Sequence, residues 1–185
     1  MPMLLVCPSQ EHVASYLAAL ERGYEFDEGL SGGVARLREQ IAHDPQAFFQ
    51  RFDDRNASAG PVQLPDGSFV PRLPGIGRWM WDGEFCGSIG LRWAHGTTEL
   101  PPTCLGHIGY SVVPWKRKRG YATSALAQML PEARAIGLPY VDITTDVDNV
   151  ASQRVILSNG GQLVERFDKL PQNGGGKALK FRITL

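Results

Sequence analysis

The sequence predicts an α+β fold in which a mixed, mostly antiparallel central sheet carries helices on both faces. Three observations point to it. Hydrophobic spacing alternates between helical and strand periods to give the order β-α-α-β-β-β-α-β-α-β-β, which is not the regular alternation of a doubly wound parallel sheet. The dipeptide Asp82-Gly83 between two strand-like runs marks a tight hairpin. A chain of 185 residues, 43% hydrophobic and 21% charged, is close to one domain of roughly 150 residues and buries a core without disulfide staples.

Residues 3–7, Met-Leu-Leu-Val-Cys, read as a short buried strand. Ser9 offers an N-cap, and Val13, Tyr16, Leu17 and Leu20 recur at helical spacing, so a helix is predicted over 10–22 and ended by Gly23. A second helix over 32–42 places Val34, Leu37 and Ile41 on one face, and a helical turn after Asp44-Pro45 carries Phe48, Phe49 and Phe52. Residues 53–76 are rich in Pro and Gly and predict a long irregular loop. Strands follow at 77–82, 85–93 and 106–113. A helix over about 120–136 has a continuous apolar face through Ala122, Ala125, Leu126, Met129, Ala133 and Ile136, and Pro131 predicts a kink or an early end. A strand at 139–146, a helix at 150–158 stopped by Asn159-Gly160-Gly161, and strands at 162–168 and 177–185 complete the chain.

Lys plus Arg and Asp plus Glu both number 19, so the formal net charge is zero, which counts against nucleic acid as a partner. No run approaches the roughly 18 apolar residues of a membrane span, and the N-terminus lacks the basic start and apolar run of a secretory signal. Cys7, Cys86 and Cys104 are scattered, with no metal-ligand spacing. The expectation is a cytoplasmic protein without a metal.

The stretch that carries chemistry runs from Val112 to Thr123. A strand ends, Lys116, Arg117, Lys118 and Arg119 follow, and Gly120-Tyr121-Ala122 opens a helix. The first amides of a helix have no intrahelical partner, and the helix dipole adds about half a positive charge there. Gly120 and Ala122 leave room for a phosphate to reach those amides, while the basic side chains add charge and guanidinium forks. Neither a Walker loop nor a dinucleotide fingerprint is present. On the residues alone, a solvated basic turn or a nucleic-acid patch is equally consistent.

Arg117, Gly120 and Ala122, spaced R-x-x-G-x-A after Val112-Val113-Pro114, resemble the coenzyme A pyrophosphate loop of the GNAT N-acetyltransferase superfamily. Gly106-His107-Ile108-Gly109-Tyr110 and the segment from Asp148-Asn149 through Ser152 and Ile156 to Asn159-Gly160-Gly161 are similar to a bacterial subgroup of these acetyltransferases. The resemblance covers roughly residues 77–185, while residues 1–76 match only in having one strand and two helices. It implies one GNAT-like domain over 1–185, in which 1–76 form the acceptor side and 77–185 the acetyl-CoA-binding core.

In that fold the fourth and fifth strands splay and the pantetheine arm lies between them. The resemblance therefore implies that main-chain groups of Ser111, Val112 and Val113 hold the arm. Amides from Arg117 or Lys118 through Arg119, Gly120, Tyr121 and Ala122, with Thr123 as a hydroxyl contact, would hold the pyrophosphate. Asn149 is implied to bond the arm with help from Ser152, and Asn149 is equally a good helix cap. A neutral amine would attack the thioester directly, which calls for a base and for donors to the developing oxyanion, the Val112 amide among them. His107 occupies the place of a family glutamate and is the candidate base, unless it is a structural His. Glu84, Asp142 and Asp146 are further candidates. Where relatives carry a tyrosine as acid, this chain has Ile156.

The acceptor, a small molecule or a protein amine, is implied to meet the N-terminal half, where Glu25, Asp27 and Glu28 would attract a cation or simply form a solvated acidic loop. Trp79, Trp81, Trp93 and Trp115 are candidates for an acceptor cleft or for core. The implied function is N-acetyl transfer from acetyl-CoA to a primary amine. A coenzyme A-binding sensor without turnover is the alternative. A homodimer is common in the superfamily.

Overall fold

The computed structural model describes residues 2–24, 33–64 and 67–185. Its strands are β1 (Leu4–Val6), β2 (Asp53–Asp54), β3 (Val62–Gln63), β4 (Phe69–Val70), β5 (Gly75–Trp81), β6 (Phe85–Arg92), β7 (Ile108–Val112), β8 (Tyr140–Asp146), β9 (Gln162–Asp168) and β10 (Lys177–Thr184). The helices are α1 (Val13–Glu21), α2 (Gly33–His43), α3 (Pro45–Gln50), α4 (Tyr121–Ala135) and α5 (Val150–Ser158). One antiparallel sheet has the order β1-β5-β6-β7, with β2 also on β5; a second has the order β8-β10-β9.

Two apolar clusters lie on opposite faces of the first sheet, because strand side chains alternate. Met80, Ile89, Leu91 and Ile108 pack with Leu126 and Met129 of α4, Ile143 of β8 and Ile156 of α5. Trp79, Phe85 and Val113 pack with Val13, Tyr16, Leu17 and Leu20 of α1, Leu37 and Ile41 of α2, and Phe48 of α3. The two clusters correspond to the helices expected on both faces.

Local differences from the sequence expectation have physical causes. Helix α1 begins at Val13 rather than residue 10, and Ser9 Oγ bonds His12 Nδ1 at 2.8 Å instead of capping an amide. Asp44 does cap α3, accepting from the Ala47 amide at 2.9 Å. The irregular stretch contains the small β3–β4 hairpin and the β2 bridge to β5. Helix α4 does not end early at Pro131 but runs on to Ala135. Pro131 and Ala127, whose carbonyl would have received the missing N–H bond, are both exposed, so water satisfies that carbonyl.

The feature that positions the site is the boundary between the sheets. At its start β7 is tied to β8, through His107 N–H to the Asp142 carbonyl at 2.7 Å and Thr144 Oγ1 to the Leu105 carbonyl at 2.6 Å. Beyond that point the two strands share no ladder, and a gap opens between them.

Candidate functional site

The loop from Val113 to Tyr121 leaves the end of β7 and enters α4. A 3-10 turn at Pro114–Lys116 starts it, and two left-handed residues, Lys118 at φ +63° and Gly120 at φ +77°, complete it. Gly120 stands at the N-cap with no side-chain cap, and a Cβ there would meet nothing within 4 Å. The first helical bond runs from Ser124 N–H to the Gly120 carbonyl at 2.9 Å, so the amides of Tyr121, Ala122 and Thr123 precede the ladder. Residues 117–120 are exposed. The result is a main-chain concavity with a positive field, open to an anion.

The four basic residues divide. Lys116 turns inward and is buried, with Nζ 2.6 Å from Asp82 Oδ1 and 2.8 Å from Glu84 Oε1. The other Asp82 oxygen accepts from Tyr121 Oη at 2.5 Å. One carboxylate on the β5–β6 turn therefore grips both the entry and the exit of the loop. Burial alone would raise the Asp82 pKa, but the bonds from Lys116, Tyr121 and Cys86 outweigh it and hold the carboxyl well below its ordinary range. Burial, followed by Asp82, pushes the Cys86 thiol up to about 12. Sequence reading placed Lys116 with the other cations and did not single out Asp82. The signal available was a turn aspartate opposite a loop lysine, and only the antiparallel register brings them together.

Arg117, Lys118 and Arg119 stay at the surface, and Arg117 Nε reaches the Val112 carbonyl at 3.2 Å. The register explains why that carbonyl is free for it. Arg92 N–H bonds the His107 carbonyl at 2.8 Å, and Val113 N–H bonds the Cys86 carbonyl at 2.9 Å. Facing residues alternate between bonded and non-bonded pairs, so the carbonyl of His107 and the main chains of 109, 111 and 113 turn to β6. Those of Ile108, Tyr110 and Val112 turn toward the gap. Among Ser111, Val112 and Val113, only Val112 thus presents its main chain there. Tyr110, which sequence reading did not name for this role, presents another.

On α5, Asn149 Oδ1 caps the Ser152 amide at 3.0 Å. Ser152 Oγ lies 2.9 Å from the Tyr110 hydroxyl, joining β7 to the first turn of α5 across the end of the gap. Burial raises the Tyr110 pKa to about 12, with Ser152 opposing. Ile156 is fully buried in the α4-side cluster, and its Cγ2 lies 2.4 Å from where a Cβ on Gly161 would stand. That contact explains the glycine of the Asn159-Gly160-Gly161 stop.

His107 lies at the closed end of the gap and is 2% exposed. Its Nδ1 accepts the Asp142 amide at 3.0 Å, and Nε2 is buried without a hydrogen bond of normal geometry. Burial, above the opposing effect of Asp142, lowers its pKa. The Nδ1 lone pair is thus engaged in a tie between the two strands. Asp142 is held by Nε and Nη2 of Arg182 at 2.7 and 2.8 Å, and Asp146 by Lys169 at 2.6 Å. Glu84 sits beside the loop on Lys116 rather than at the strand gap. Glu25, Asp27 and Glu28 fall outside the described residues.

Trp79 and Trp93 are core residues, Trp79 stacking on Tyr16 at 4.5 Å. Trp81 meets His12 edge-on, and Trp115 lies under Arg22. A separate open depression of about 580 Å³, lined by residues 93–98 and 136–138 and so including Trp93, lies at the far end of α4 from the loop and takes in none of the loop residues. Among the described residues no group of three His, Cys, Asp or Glu side chains is placed to hold a metal, and no helix is long and apolar enough to cross a membrane.

A family model described as an acetyltransferase (GNAT) domain matches residues 39–162. No curated protein matches by sequence. Solved structures share the fold at low identity. The microcin C7 self-immunity acetyltransferase MccE, solved with acetyl-CoA and AMP, superposes with a TM-score of 0.64 at 12% identity over 99% of this chain and 92% of its own. RimL, a ribosomal L7/L12 α-N-protein acetyltransferase solved with coenzyme A, gives 0.63 at 13% identity, covering 99% of this chain and 94% of its own. RimJ of Mycobacterium smegmatis, in complex with a CoA disulfide, gives 0.63 at 19% identity, covering 98% and 81%.

Proposed function

The chain belongs to the GNAT acetyltransferase family, and from that premise we propose that it transfers the acetyl group of acetyl-CoA to a primary amine, on a small molecule or at a protein N-terminus or lysine. The observation that carries this reading is the succession of two open main-chain surfaces: the unladdered side of β7 is followed along the chain by the uncapped start of α4, with open space beside Gly120. A diphosphate fits the first, and an amide-bearing arm fits the second as a surrogate strand.

In this reading the amides of Arg119, Gly120, Tyr121 and Ala122, with the Thr123 hydroxyl, hold the diphosphate, and Arg117 and Lys118 add charge. Main-chain groups of Tyr110 and Val112 hold the arm, with Asn149 and Ser152 at its far side. Residues 77–185 form the acetyl-CoA half, and residues 1–76 the acceptor half of one domain. Acetyl-CoA supplies an activated thioester that a neutral amine attacks without a covalent enzyme intermediate. In this reading the Val112 amide donates to the oxygen that gains charge. With His107, Asp142 and Asp146 each engaged by a partner, the acceptor ammonium loses its proton to water before attack. The buried Ile156, in place of an acid, is the one observation that favours a coenzyme A-binding module without turnover.

Calorimetric titration of acetyl-CoA into the wild type and Gly120→Asp, with thiol release followed over a panel of amines, tests the proposal. Tight binding lost in the variant, together with amine-dependent thiol release, is expected. Equal affinity in both proteins refutes the loop assignment, and binding without release across the panel favours the module.

A further inference from the structure

Arg92, the last residue of β6, is half-buried, and its guanidinium has no hydrogen bond or ion pair to any described residue. The other sequestered cations of this sheet and its loop are matched: Arg78 lies 3.2 Å from Asp53, and Lys116 is held by Asp82 and Glu84. A guanidinium withdrawn from water loses solvation that a partner must replace, so one left open in a folded chain points to a partner that arrives from outside.

The surroundings of Arg92 say which kind. Ile89 and Leu91 face α4, so Gly90 and Arg92 face the other side of the sheet, the side covered by α1 to α3. There Gly77, Gly90 and Gly109 stand opposite one another on β5, β6 and β7. No side chain rises from this row, and Phe52 walls one end, 2.9 Å from where a Cβ on Gly77 would be. At the other end Arg92 Nη2 lies 3.4 Å from the corresponding point on Gly109. The guanidinium therefore hangs over β7, one residue before Tyr110, whose main chain faces the gap. Val112, whose amide donates to the thioester oxygen in the reading above, lies three residues beyond Gly109, about 10 Å along the strand, so a carboxylate on Arg92 and an amine at the thioester fall within one extended small molecule.

We propose that Arg92 selects the acceptor: its guanidinium takes the carboxylate of an amino-acid-like amine in a forked pair and so directs the amino group to the gap between β7 and β8. This rests on the N-acetyltransferase reading above and narrows its substrate to amines that carry a carboxylate a few bonds away.

The test uses product analogues, so that it does not depend on turnover. N-acetyl-γ-aminobutyrate and N-acetyl-6-aminohexanoate, each beside its primary amide, are titrated calorimetrically into the full chain saturated with coenzyme A. At least one acid is expected to bind ten or more times more tightly than its amide. Arg92→Gln is expected to abolish that preference, and Arg92→Lys to keep part of it, while both variants retain the wild-type affinity for coenzyme A and so report an intact fold. Equal affinity of acid and amide, no binding of either acid, or a preference that survives Arg92→Gln overturns the assignment. Failure of the wild type to bind coenzyme A would instead bring down the acetyltransferase reading, and this proposal with it.

Discussion

Replacing Asp82 by Asn removes one charge at nearly constant shape and tests whether the diphosphate loop is held ready before its ligand arrives. Both carboxylate oxygens are engaged, by Lys116 at 2.6 Å and Tyr121 at 2.5 Å, and the side chains of Lys116 and Asp82 are only 5% and 11% exposed. Hydrogen bonds to a charged group contribute about 1.5–3 kcal/mol against about 0.5–1.5 for neutral ones, so two such exchanges cost about 2–3 kcal/mol. Glu84 remains on Lys116, but at 58% exposure it compensates weakly, in the manner of surface pairs worth about 0.2–1 kcal/mol. A loop populated in its competent form only part of the time binds in proportion to that fraction. Since tenfold in affinity is about 1.4 kcal/mol, the Kd and KM for acetyl-CoA should rise about tenfold to hundredfold. The value of kcat should stay within about threefold, because the clamp touches neither the thioester nor the acceptor. Calorimetry and steady-state kinetics read these quantities, with Asp82→Glu as the charge-preserving control. A Kd within twofold of wild type, in a variant whose loop amides exchange hydrogen no faster, would refute the preorganisation argument.

Acid should spare this clamp. The Asp82 carboxyl is held below its unfolded value of about 3.9, so the unfolded chain takes up the proton first and the clamp's stability persists above that pH and is lost only as pH falls toward the folded value; thermal melts of wild type and Asp82→Asn should therefore converge only below about pH 4. Alkali acts through Tyr110 with the opposite sign: its neutral phenol stabilises fully below the unfolded value of about 10, and the contribution disappears as pH rises through about 12, so Tyr110→Phe should flatten the wild-type loss of Tm in that window. Gly161→Ala forces a methyl to within 2.4 Å of Ile156 Cγ2 and 2.9 Å of its carbonyl. Overpacking of that kind costs about 1–3 kcal/mol, read as a fall in Tm of several degrees. Native-state labelling at pH 8 should modify exposed Cys7 and leave Cys86, with its thiol pushed up to about 12, unmodified until denaturant is added.

The division between legible and illegible features follows the range of the interactions involved. Helix α5 runs over 150–158 and strand β9 over 162–168 in the structure as in the sequence, because an Asn cap and a Gly-Gly stop are signals within a few residues of the elements they bound. The same holds for the left-handed Gly120 at the mouth of α4, where a glycine between a basic run and an apolar periodicity admits few other conformations. His107 shows where local reading stops. A histidine in a strand is chemically a base, and only its neighbour across the sheet boundary, the Asp142 amide on its Nδ1, makes it a strand tie. Pro131 shows the same limit, since its tolerance depends on which face of α4 meets water.

By itself, then, the sequence determined the order of the larger elements, the basic loop with its open glycine and the Asn149 cap of α5, all consequences of backbone preference and hydrophobic period acting over a few residues. The tertiary structure alone decided that Lys116 leaves the basic cluster for Asp82, that Val112 and Tyr110 rather than Ser111 turn their main chains to the gap, and that the Arg92 guanidinium, bonded to no described residue, hangs over a row of glycines. Those outcomes depend on strand register and on charges far apart in the chain, and burial fixes such pairings only once the sheet has formed.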